Sequence, residues 1–317
     1  MLVASALAAI LVLGEPTAAQ GALGTARPPE CGLSEGFRAA NPWERAKEPN
    51  LRRYCDLLAS GTAKLVGPGT ALVKDVPQIA DEADRLLPRR AAPAILKGRA
   101  LLRLGRPEDA LAALAEAKRR DDRALDDPVA LLAWARANAR TSHLAEAAQA
   151  YRAALPRTSA LTVSDRAAAS FEAGITVMAQ GKAGVDDAVA MFRQARRDAQ
   201  DAIQVASVAA LALALDRSGQ RDEARAVLAE RIRADVKPLL SDPRVVESLA
   251  NAGAAEEIDA LLGVALEALD GGAARESWKR YLDGAGGKGA WADHAREHLT
   301  GAAARKAPAK KPAGGAP

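Results

Sequence analysis

Aromatic side chains are scarce in this chain: four Trp, three Tyr and three Phe make up 3% of its 317 residues. That is too little bulk for a conventional large core. Alternating runs of Val, Ile and Thr are missing, which argues against a sheet. The longest apolar run, Leu2–Leu13, is ~12 residues, whereas a bilayer span needs about 20. There is no glycine-rich phosphate loop and no GxGxxG, no nucleophile elbow and no CxxC redox or metal pair. Basic residues are not interleaved with aromatics, so base stacking has no platform and no nucleic-acid partner is expected.

What the chain does have is alanine in abundance, with leucine, arginine and glutamate, a composition that favours helix. Leu2–Leu13, followed by small residues around Ala18–Ala22, fits the apolar core of a secretory signal, although no Lys or Arg precedes it. Cleavage fits after Ala19 or after Ala22. Cys31 and Cys55 are the only cysteines. In an exported chain such a pair reads as a disulfide, closing a loop for ~3 kcal/mol; two separate buried thiols are the alternative. The formal net charge is +4. Setting aside Glu15 and the tail cations Arg305, Lys306, Lys310 and Lys311 leaves the body at about +1. The basicity therefore sits mostly in an Ala/Pro/Gly/Lys tail that is expected to be disordered.

A small–large–small triplet recurs along the middle of the chain. Ala110–Leu114–Ala117, Ala147–Tyr151–Ala154 and Ala188–Phe192–Ala195 share it, and Ala224–Leu228 continues it; the leading alanines step by 37, 41 and 36 residues. A period in this range marks stacked helical hairpins. In the first unit Gly98 and Leu101 lie on helix A, Gly105 ends it in a left-handed cap, and Pro107-Glu108-Asp109 opens helix B. Small residues at Gly98 and Ala110 let the two backbones approach, and Leu114 fills the space between hairpins. The second unit holds Ala135, Ala147, Tyr151 and Ala154, with Asn138 and Ser142 in place of the large residue and the turn glycine. The third holds Gly174, Gly181, Ala188, Phe192 and Ala195; the fourth holds Ala212, Leu215, Gly219, Ala224 and Leu228. Gly263, Leu266, Ala274 and Trp278 look like a degenerate last unit.

This pattern resembles the tetratricopeptide repeat, a helix–turn–helix of typically 34 residues. The resemblance covers roughly residues 48–283 and implies an all-α fold, a right-handed α-solenoid of stacked antiparallel helical hairpins. The expected organisation is a signal peptide at 1–22 and an extended segment with Cys31 at 23–47. A degenerate first hairpin follows at 48–90, then tetratricopeptide-like repeats at 91–240. A degenerate repeat and capping helix are expected at 241–300, and a disordered basic tail at 301–317. The step from Ala224 to Ala274 is 50 residues, so a short helix over about Pro243–Ala252 must be inserted there.

In this repeat family the inner groove is lined by helix A, just after the small residue and four further on. The resemblance thus implies a groove lined by Arg99 and Arg103, then Arg136 and Arg140, then Phe171, Ile175 and Met178, and then Asp216 and Arg217. Guanidinium forks suit carboxylates, so the expected partner is an acidic, partly extended segment of another protein. Arginines paired with local Asp or Glu are the bland alternative. His294-Ala295-Arg296-Glu297-His298 spells HxxEH, the inverted zinc-protease motif, but no Asp or Glu follows Glu297 to complete a ligand set. Glu247-Ser248 and Glu276-Ser277 echo the Glu-Ser of some lytic transglycosylases, whose other elements are missing. No enzyme, metal or cofactor is therefore expected. The leading expectation is a protein–protein scaffold of the bacterial envelope, periplasmic or secreted, in a multi-subunit complex and without a membrane span once the signal is removed. The second is an envelope-polymer binding module, peptidoglycan or anionic lipid, acting through the basic tail. A zinc hydrolase comes third.

Overall fold

The structure is a computed structural model that describes residues 28, 31, 42–66, 71–232 and 236–306. The signal segment 1–22, most of the segment before residue 42 and the tail beyond residue 306 lie outside the described residues. Among those described the fold is all-α, with no strand. Helices α1 (Pro42–Val66) and α2 (Val76–Leu86) pair first, then α3 (Ala91–Arg103) with α4 (Pro107–Arg120), and α5 (Pro128–Arg140) with α6 (Leu144–Ala154). α7 (Val163–Ala179) pairs with α8 (Val185–Asp198), and α9 (Asp201–Arg217) with α10 (Arg221–Arg231). The short helices α11 (Val236–Leu240) and α12 (Pro243–Asn251) precede a last pair, α13 (Glu257–Leu266) and α14 (Gly271–Asp283), and α15 (Ala292–Lys306) ends the described chain. Short connections make the members of each pair antiparallel.

Local chemistry explains the boundaries. Asp127 accepts from the Val129 and Ala130 amides, both at 2.9 Å, and Pro128 opens α5. Thr162, Asp242 and Asp270 cap α7, α12 and α14 in the same way. Gly105 and Gly219 close α3 and α9 in the left-handed region (φ 74° and 86°). Ser142 takes the same turn at φ 65° without being glycine. At all three the next amide reaches back into the helix: Arg106 to the Leu101 carbonyl, His143 to Asn138 and Gln220 to Leu215, at 2.9, 2.8 and 2.8 Å. That bond holds Ser142 in a conformation its side chain disfavours.

In three hairpins the large residue, Leu114, Phe192 or Trp278, is buried over a glycine of the partner helix, Gly98, Gly174 or Gly263. Leu114, Tyr151, Phe192 and Trp278 are all sealed from solvent. A Cβ on Gly174 would meet Phe192 Cε1 at 2.5 Å, and one on Gly263 would meet Trp278 Cε2 at 2.6 Å. The first helices of successive pairs also touch: α1 with α3, α3 with α5, α7 with α9, and α9 with α13. The insert α12 does not extend this series. It lies across α5, α7 and α9, held by Tyr151 Oη donating to the Asn251 carbonyl (3.5 Å), Thr176 Oγ1 to Ala252 (3.1 Å) and Asn251 Nδ2 to Glu172 Oε1 (3.3 Å). After α14 the chain turns back. Trp291 Nε1 donates to the Met178 carbonyl at the end of α7 (2.8 Å), and α15 comes to rest beside the end of α9. No helix among the described residues is long and apolar enough to cross a membrane.

Candidate functional site

Arg99 and Arg103 lie on α3 and Arg136 and Arg140 on α5, and three of the four are engaged within the chain. Arg103 Nη1 donates to the Leu65 carbonyl at the end of α1. Arg140 Nη1 donates to the Leu102 carbonyl at the end of α3, at 3.1 Å. Both links span 38 residues. Arg136 forms a two-point pair with the buried Glu172 (2.8 and 3.2 Å). Burial works against the Arg136 charge, but Glu172 outweighs it and holds the guanidinium well above its ordinary value. Arg99 is different. It makes no hydrogen bond or ion pair among the described residues. Burial pulls its guanidinium down to about 10, against the attraction of Asp127 and with the repulsion of Arg136.

The third and fourth units need correction. Phe171, Ile175 and Met178 do not line an open groove; they are fully buried, in one core cluster with Phe192. The inner face of that unit is covered by α12, which places Asn251 on Glu172 and Ala252 on Thr176. Arg217 is buried as well, paired with Glu257 (2.9 Å) and with its guanidinium carbon 4.8 Å from the centre of the Trp291 ring. Cys31 and Cys55 form a disulfide, which fits an oxidising compartment outside the cytoplasm.

A second site emerges where none was expected. His294 and His298 lie one turn apart on α15 and both point their Nε2 atoms at Asp216 Oδ2, at 2.9 and 2.7 Å. The two Nε2 atoms are 3.3 Å apart. The ring of His298 is held from its other side, Nδ1 against the Glu267 carboxylate. Glu267 in turn accepts from Trp278 Nε1 at 3.2 Å. Trp278 stacks on the His298 ring, with centroids 4.5 Å apart, and meets His294 edge-on at 6.0 Å. The rings are thus fixed by packing. Asp216 and His298 border a cavity of about 260 Å³ between α9, α10, α13 and α15. Glu297, the acid inside HxxEH, turns outward and pairs with Arg221 at 2.9 Å.

The electrostatics of this cluster follow from burial and contact. Burial pushes the Asp216 carboxyl up, but hydrogen bonds and charge from the two histidines outweigh it and hold it below the usual carboxylate range. Burial lowers His294, with Asp216 opposing. Burial also works against His298, yet Asp216 and Glu267 together raise it to about 9. The expectation of no metal site rested on the missing acid after Glu297. The acid comes from upstream: Asp216 reaches His294 across 78 residues of sequence. Asp216 was legible only as a groove position, and Glu267 carried no signal at all. No protein-family model matches this chain, and no curated protein matches it by sequence.

Proposed function

We propose that the chain is an exported, tetratricopeptide-like right-handed α-solenoid that scaffolds other proteins in the bacterial envelope, with its contact surface on the N-terminal hairpins. The observation that carries this reading is the repeated joint. Arg103 and Arg140 occupy the same register and each ties its helix to the first helix of the preceding pair across the same 38 residues. Joints repeated at one register are how quasi-one-dimensional arrays hold together, and such arrays work through extended inner faces. The disulfide and the N-terminal apolar segment support an exported, periplasmic placement. Within the array, α12 occupies the inner face of α5, α7 and α9. That leaves Arg99 on α3, a guanidinium without a hydrogen bond among the described residues, as the group best placed to take a carboxylate from a partner.

The test is capture of envelope proteins on the immobilised mature chain, wild type against Arg99→Glu. Charge reversal is expected to cut retention of an acidic partner by at least about tenfold. Retention unchanged by Arg99→Glu overturns the groove. A chain ending at residue 306 keeps its partner on this reading; loss of capture would instead assign the contact to the basic tail.

A further inference from the structure

We propose that Asp216, His294 and His298 form a binding site for one divalent transition-metal ion of the zinc class, which pins α15 to the end of α9. The donor set comes first. Two imidazoles and a carboxylate suit zinc and its neighbours, whereas calcium and magnesium call for oxygen alone. The spacing comes next. In a tetrahedral zinc site with bonds of about 2.0–2.1 Å the ligand atoms lie roughly 3.3 Å apart. His294 Nε2 and His298 Nε2 already stand at 3.3 Å. The two contacts to Asp216 Oδ2, at 2.9 and 2.7 Å, need to open by about half an ångström.

On the His298 side the surroundings match a metal site beyond the three donors, whereas His294 Nδ1 is buried without a partner among the described residues. A metal-bound imidazole usually hands its other nitrogen to a carboxylate, which fixes the ring and raises its basicity. His298 Nδ1 is held in this way by Glu267, and Trp278 holds Glu267. The stacked Trp278 fixes the ring plane. Three protein ligands leave a fourth position open, and the 260 Å³ cavity beside Asp216 and His298 offers a route in. Glu297 is paired with Arg221, whose Nε also stands 3.4 Å from Asp216 Oδ1, so the motif's acid is engaged by a guanidinium and the inference is of an ion-binding site and not of a hydrolase. It stands independently of the scaffold reading, because it concerns α9 and α15 and not the arginine face.

The test uses the full mature chain without an affinity tag, stripped with chelator and dialysed against zinc chloride, with bound zinc measured by mass spectrometry. One zinc per chain is expected at micromolar free metal. Asp216→Asn and His294→Gln should each abolish stoichiometric uptake. Glu267→Gln should weaken binding about 10- to 100-fold while keeping the stoichiometry. His143→Gln, which alters the one remaining histidine, should change nothing. Cobalt should give the visible absorption of a four-coordinate ion in the wild type, a readout that does not depend on any variant folding. Wild-type chain that takes up no zinc and shows no such cobalt spectrum overturns the proposal. So does uptake that survives both Asp216→Asn and His294→Gln.

Discussion

The hairpins α1–α6 and the helices α7–α15 carry arginines at matching helix positions yet hold them in opposite ways. Arg103, Arg140 and Arg217 stand at the same place, five residues after the small residue of the first helix. Among the N-terminal hairpins, Arg103 and Arg140 each reach a backbone carbonyl at the end of the preceding first helix. Among the C-terminal helices, Arg217 is sealed under Trp291 and paired with Glu257. The apolar core differs in the same sense. Around α1–α6 it falls into several small clusters, each bridging neighbouring helices. From Ala167 to Ala295 most of it is one large body, while Ala169, Ala173, Val177 and Met191 join Leu132, Ala135 and Tyr151 in a separate cluster that links α5 and α6 to α7 and α8. The register sets where a side chain starts; what is later packed over it sets whether it meets water, a carbonyl or a buried acid. Helices α11, α12 and α15 add further packing, α12 across α5, α7 and α9 and α15 beside the end of α9.

The largest break in that comparison should come from Glu257→Ala. It strips the partner from a fully buried guanidinium, and removing one member of a buried pair costs roughly 3–5 kcal/mol. Urea unfolding should show the loss, and hydrogen exchange should show it spread over α9–α15. A loss confined to α13 would mean that the C-terminal core is not one unit. Next comes the disulfide. Replacing both Cys31 and Cys55 by serine frees a loop of 24 residues and should cost about 3 kcal/mol. The lost protection should stay within α1–α3, because the Cys31 cluster extends no further than Leu104. Protection lost equally in α13–α15 would show that the N-terminal hairpins are not modular. The smallest effect belongs to Arg140→Ala, which removes one bond to the Leu102 carbonyl. At about 1 kcal/mol, it should loosen exchange at the α3–α5 joint and leave α9 untouched.

Much of the helix pattern was legible because it is local. Pro107-Glu108-Asp109 marks a start through proline and acids in the first turn, and Gly105 a stop through a left-handed turn whose bonds span a few residues. The small–large–small triplets were legible from volume, but Leu114, expected between hairpins, packs on Gly98 within its own hairpin, as Phe192 does on Gly174. The 50-residue step from Ala224 to Ala274 announced a helix near Pro243, and α12 is there. Its resting place across α5, α7 and α9 was not announced, because the acceptors that hold it are backbone carbonyls and the buried Glu172, none with a sequence signature. For that reason Phe171, Ile175 and Met178 read as a groove floor when they are core. The histidine pair was visible as a motif. Its contact with Asp216 was not, since Asp216 read only as one more groove position on α9.

The sequence by itself determined which segments are helical, where they turn and which small and large residues face each other. Those outcomes rest on backbone sterics, capping and hydrophobic periodicity, all of which act over a few residues to one hairpin. Only the tertiary structure decided which charges are spent and which are left. Desolvation and pairing depend on what docks over a side chain, and at the histidine cluster the docking helix comes from 82 residues away, the distance from Asp216 to His298. Among the described residues, Arg99 and the Asp216–His294–His298 cluster are where we propose that long-range packing leaves chemistry available for use.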